Sequence, residues 1–102
     1  MKDNKLYHIL DLIEEIDKVD KMILMHLDSD STLMLDQYKN QKLKLSNYLV
    51  QELLTNSDNR PEVMYIIKLF IEKFYMKEMN HLQFEENDSL KKIQNVFIEN
   101  YS

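Results

Sequence analysis

Glycine is missing altogether from these 102 residues, and proline occurs once, at Pro61. Tight two-residue hairpins, phosphate-cradling loops and backbone positions with positive φ normally call on glycine, so its absence steers the chain away from β-hairpin and nucleotide-loop architectures. Where the chain must turn, Asn, Asp and Ser have to serve. Two polar clusters fit that role, Asp28-Ser29-Asp30-Ser31 and Asn56-Ser57-Asp58-Asn59, and Glu85-Glu86-Asn87-Asp88 is a weaker third. They cut the sequence into three long helical segments and one short one.

Apolar spacing supports that division. In residues 3–27, Ile9, Leu12, Ile16, Val19 and Ile23 step by three and four, with Leu6, Ile13 and Leu27 widening the stripe. Glu14 with Lys18 and Asp17 with Lys21 are i,i+4 pairs on the other side. In residues 31–55, Met34, Tyr38, Leu45, Tyr48, Leu49 and Leu53 share a face, and Leu43, Val50 and Leu54 lie nearly opposite. A third helix is predicted to start at Pro61, with Val63, Ile66, Ile67, Phe70 and Phe74 as its main stripe. Met64, Tyr65, Leu69, Ile71, Tyr75 and Met76 leave it only a narrow polar edge around Lys68 and Glu72, which predicts a central position. The last helix, near 88–101, caps on Asn87 or Asp88 and presents Leu90, Ile93, Phe97 and Tyr101. A strand over Val63 to Ile71 would have nothing to pair with.

A chain of this length with 44% hydrophobic residues forms one domain, 1–102, with a real core. The expected fold is all-α: a compact bundle of three long helices plus a short C-terminal helix. The third helix is expected between the first two, with the short one covering an open side.

The candidate chemistry is thin. Without cysteine there are no disulfides, thiolate nucleophiles or cysteine metal sites. Asp28-Ser29-Asp30-Ser31-Thr32 resembles the opening of a calcium loop, yet Leu33 stands where the turn glycine belongs and Lys39 where a bidentate Glu is needed, so a helix-capping turn is the better reading. Glu78 and His81 make one carboxylate–histidine step of a di-iron bundle, but neither His8 nor His26 has an acid three residues earlier to complete it. Ser46 is the one hydroxyl within a helix interior far from the turns, and no histidine is near it in sequence to act as base. Paired carboxylates among Glu14, Glu15, Asp17 and Asp20 sit where a solvated helix face would put them. No cofactor, metal or catalytic residue is therefore expected, and the chain is read as not an enzyme.

Charge points instead to a protein partner. Eighteen acids against 13 bases give a net charge of −5, and the surplus falls in residues 1–30, with 8 acids and 4 bases. Such a surface suits a basic protein groove better than a polyanion. The expected role is a non-enzymatic protein-binding module, a small acidic inhibitor or adaptor of the kind represented by immunity proteins, antitoxins or phage inhibitors of host nuclease and defence systems. It would occlude or position a larger partner that has a basic cleft. Asp11, Glu14, Glu15 and Lys18 on the first helix and Leu43, Val50 and Leu54 on the second are the candidate contact residues. One alternative is a regulatory nucleic-acid-binding protein using Lys39, Lys42 and Lys44, although helical spacing scatters these around the axis. Another is a homodimeric structural protein, and the seven methionines suit an adaptable surface as well as a core.

Met1-Lys2-Asp3-Asn4-Lys5 leads into an acidic segment that a secretory signal would not tolerate, and no apolar run approaches a membrane span, so a cytoplasmic protein is expected. The absence of Ala and Trp, with a single Arg among many Lys, Asn and Ile, is the bias of an AT-rich bacterial or phage genome.

Overall fold

The computed structural model describes residues 3–27 and 32–101, and all of its regular structure is helical: α1 (Asp3–His26), α2 (Thr32–Asn56), α3 (Arg60–Phe74), α4 (Met76–Met79) and α5 (Ser89–Tyr101). It is the expected all-α bundle of three long helices plus a short C-terminal one, with the single turn α4 added after α3. The proposed calcium-like turn lies outside the described residues except for Thr32, which opens α2.

Local chemistry sets the ends of the helices. Asn59 caps α3 by accepting a hydrogen bond from the Glu62 amide at 3.3 Å, and Pro61 occupies the first turn, where its missing N–H costs nothing. Asp88 caps α5 through Leu90 N at 2.9 Å, as its sequence predicts. Tyr75, with φ −128° and ψ 1°, breaks the helical path between α3 and α4. The predicted pairs on α1 form, with Lys18–Glu14 at 3.7 Å and Lys21–Asp17 at 2.8 Å. Both are exposed and contribute only a few tenths of a kcal/mol.

The α1 stripe is buried as read: Ile9, Leu12, Ile16, Val19 and Ile23 all face inward. Ile9, Leu12 and Ile16 meet Leu49 and Leu53 of α2 and Val63, Phe70 and Phe74 of α3 in one core cluster. Ile16 and Leu49 are its fully buried centre, where truncation to alanine removes about 2–5 kcal/mol. Asp20 of α1 reaches Lys42 of α2, and Lys42 reaches Phe74 of α3. Because early α1 residues share the core with late α2 residues while Asp20 pairs back to Lys42, α2 runs antiparallel to α1. The same reasoning makes α3 antiparallel to α2, an up-down-up arrangement.

Two expectations change. The third helix is not enclosed: Val63, Phe70 and Phe74 are buried, but Met64, Tyr65, Ile66 and Leu69 are exposed. Nor does α5 cover an open side. It makes no extensive contact with another helix, and Leu90 and Ile93 are 58% and 54% exposed. Nine residues outside any helix, 80–88, separate α4 from α5, so α5 is not tied to the bundle by a tight turn. The result is a slab, 45 × 43 × 18 Å, only about two helix diameters thick.

Candidate functional site

The second helix turns a face toward the core that hydrophobic periodicity does not reveal. Its buried residues are Lys42, Ser46, Leu49 and Leu53, spaced four, three and four apart, so half of the inward stripe is polar. Lys42 is only 2% exposed.

An ammonium group has three N–H donors and needs three acceptors when it leaves water. Lys42 Nζ finds them on three separate elements. It donates to the Phe74 carbonyl at the end of α3, to Asp20 Oδ1 of α1 at 2.9 Å, and to Glu78 Oε1 of α4 at 3.1 Å. The Tyr75 ring lies 4.4 Å from the nitrogen and adds a cation–π contact. Phe74 is the last residue of α3, where helix carbonyls run out of internal partners, so Lys42 caps that helix from its neighbour with a charge of the favourable sign. Alongside, Ser46 Oγ donates to the Lys42 carbonyl at 2.6 Å and meets the Tyr75 hydroxyl at 2.8 Å. Among the described residues no buried side-chain nitrogen or oxygen lacks a partner.

This geometry defines what the cluster can do. Burial depresses the Lys42 pKa, but hydrogen bonds and charge from Asp20 and Glu78 more than offset that, and the net shift is upward. A lysine held protonated in this way is neither a base nor a nucleophile. The Ser46 hydroxyl is spent on a carbonyl and a phenol, with no imidazole beside it. The cluster therefore works as a lock, joining α1, α2, α3 and α4 at the end of the bundle where α3 breaks.

A groove of about 800 Å³ opens beside it. Leu24, Leu27 and Met76 provide apolar wall, while Asp20, Lys42, Glu78 and His81 supply polar lining. The Lys42 charge within this lining is already matched by two carboxylates. Glu78, whose spacing from His81 matches one step of a di-iron bundle that the sequence does not complete, is paired with the lysine. Among the described residues no group of three or more His, Asp or Glu side chains could hold a metal ion. His26, which is half-buried, donates from Nδ1 to the Met22 carbonyl at 2.8 Å, and its ring lies tilted at 49° to that of Tyr38 with centroids 5.3 Å apart.

The sequence-predicted contact residues fall in different places. Asp11, Glu14, Glu15 and Lys18 are all exposed, on the side of α1 away from its buried stripe. The opposite stripe of α2 is divided: Leu43 is 54% exposed, Val50 is half-buried, and Leu54 packs against the core cluster. The three thus do not form a single exposed row, because α2 is flanked by α1 and α3 and Leu54 falls within reach of the core. Of the three lysines considered for nucleic acid, Lys42 is withdrawn from the surface, leaving Lys39 and Lys44 exposed.

Fold and site together define an all-α bundle locked by a buried lysine, with no helix among the described residues long and apolar enough to cross a membrane. Compared with protein-family models, curated proteins and solved structures, the chain shows no significant similarity to any of them.

Proposed function

We propose that the chain is a non-enzymatic protein-binding module, an inhibitor or adaptor acting in the cytoplasm of a bacterium or its phage by occluding or positioning a larger partner. The observation that carries this reading is α5, an amphipathic helix on which Leu90, Ile93 and Val96 lie within about 120° of one another and are each at least half exposed. Amphipathic spacing is a device for burying one side of a helix, and an apolar side left in water marks an interaction surface. The exposed acids of α1 add a means of steering toward a basic partner, speeding encounter and favouring the correct orientation.

The test is affinity purification of the tagged chain from cells that express it natively, followed by binding kinetics with the partner recovered. The wild-type chain should hold a stoichiometric partner. A variant with Asp11, Glu14 and Glu15 all changed to Lys should associate more slowly and lose the salt dependence of its on-rate. The absence of any stoichiometric partner contradicts the reading, and unaltered kinetics at low salt remove α1 from it.

A further inference from the structure

We infer that the apolar side chains left exposed on α5 and on α3 are covered by a second copy of this chain. The inference rests on the reading of α5 as an interaction surface; it assigns that surface to a second copy and leaves the acidic side of α1 for the larger partner.

Area is the first argument. The chain exposes 8295 Å², whereas a compact chain of 12.4 kDa is expected to expose about 6,100 Å². Its radius of gyration is 16.1 Å, against roughly 13 Å for a compact domain of this length. The excess, roughly 2,200 Å² per chain, is well above the ~800 Å² per partner of a standard interface and falls in the range of obligate homodimers. A small ligand or a short peptide would leave most of it in water.

The chemistry of the excess agrees. Leu90, Ile93, Val96 and Ile98 of α5 and Met64, Tyr65, Ile66 and Leu69 of α3 are all exposed. Aliphatic side chains with Tyr and Met are the composition of an interface centre.

Charge then selects the occupant. A two-fold interface places the same surface on both sides, so any strong net charge there repels itself. The acid surplus of this chain is on α1, with six carboxylates against three lysines. Helix α3 has three cations against two carboxylates, and α5 has two lysines against one glutamate. The apolar surface is thus the near-neutral one, suited to self-pairing, and the pairing leaves α1 free. A foreign partner chosen by charge would instead be drawn to α1.

The experiment is sedimentation equilibrium on the purified full chain, from low micromolar to several hundred micromolar, with circular dichroism melts of the same samples. The wild-type mass should be twice 12.4 kDa. Ile93→Lys and Leu69→Lys should halve it while helical content stays, and the milder Ile93→Ser should weaken association without risk to the fold. Leu43→Lys, on the exposed side of α2, should stay dimeric. A dimer that all three interface variants leave intact overturns the proposal by placing the contact elsewhere. A wild-type monomer also overturns it, in one of two distinguishable ways. If Ile93→Lys lowers the melting temperature of that monomer, α5 packs on its own bundle and the association reading falls too. If melting is unchanged, the surface is open to a foreign partner, and only the second copy is refuted.

Discussion

Replacing Lys42 with Met keeps the length of the side chain and its helix propensity while deleting the charge. Three charge-assisted hydrogen bonds disappear with it, to Phe74, Asp20 and Glu78. Removing one partner of a fully buried ion pair costs about 3–5 kcal/mol, because the other charge is left without water. Here the remaining charges are better placed, since the Asp20 and Glu78 side chains are 27% and 48% exposed and rehydrate. The Phe74 carbonyl is the group left unpaired, at about 1–3 kcal/mol. The apolar replacement recovers part of the ammonium desolvation. A net loss of about 2–3 kcal/mol follows, or roughly 10–20 °C in melting temperature for a domain of this size. Urea unfolding followed by circular dichroism measures it, and Asp20→Asn and Glu78→Gln should each cost about 1 kcal/mol because both acids are partly solvated. A Lys42→Met protein within 0.5 kcal/mol of wild type, an order-of-magnitude margin for an ordinary surface change, would refute the lock.

The pH dependence of the same variant has a fixed sign. The folded pKa of Lys42 is raised, so its stabilisation is complete below the unfolded value of 10.5 and lost as pH rises through the higher folded value, and the gap between wild type and Lys42→Met in urea should narrow at strongly alkaline pH. Leu54→Lys should cost several kcal/mol because Leu54 packs on the core, whereas Leu43→Lys should stay within about 0.5 kcal/mol in parallel thermal melts. Asn59→Ala removes the cap on α3 and should cost about 1 kcal/mol in the same assay. Changing Asp11, Glu14 and Glu15 to Lys should leave helical content by circular dichroism unchanged, since all three side chains are exposed.

How far the sequence is legible depends on what periodicity detects. The α1 stripe from Ile9 to Ile23 is purely apolar, and each of its five residues is buried where the spacing places it. Helix ends were legible too, because Asn59, Pro61 and Asp88 act through local hydrogen bonds and backbone geometry. On α2 the signal failed for a physical reason. Lys42 and Ser46 hold inward positions, and a polar residue registers as outward-facing in any hydrophobic pattern. Its partners Asp20 and Glu78 are 22 and 36 positions away in the sequence, and that pairing exists only once three helices have assembled. The available signal was the register itself, since Lys42 and Ser46 continue the spacing of Leu49 and Leu53 backwards. For α3 and α5 the apolar character was legible but the occupant was not, because periodicity shows that a surface should be covered without showing by what.

That occupant is the central question, and amide hydrogen exchange of the isolated chain as a function of concentration addresses it most directly. Amides of α1 and α2 are protected by the core and the Lys42 lock at every concentration. Those of α5, around Leu90 to Ile98, should exchange quickly in dilute protein and slow in parallel with dimer formation, together with those around Met64 to Leu69 of α3. Protection of α5 that is the same at all concentrations, whether high or absent, would contradict a surface completed by a second copy.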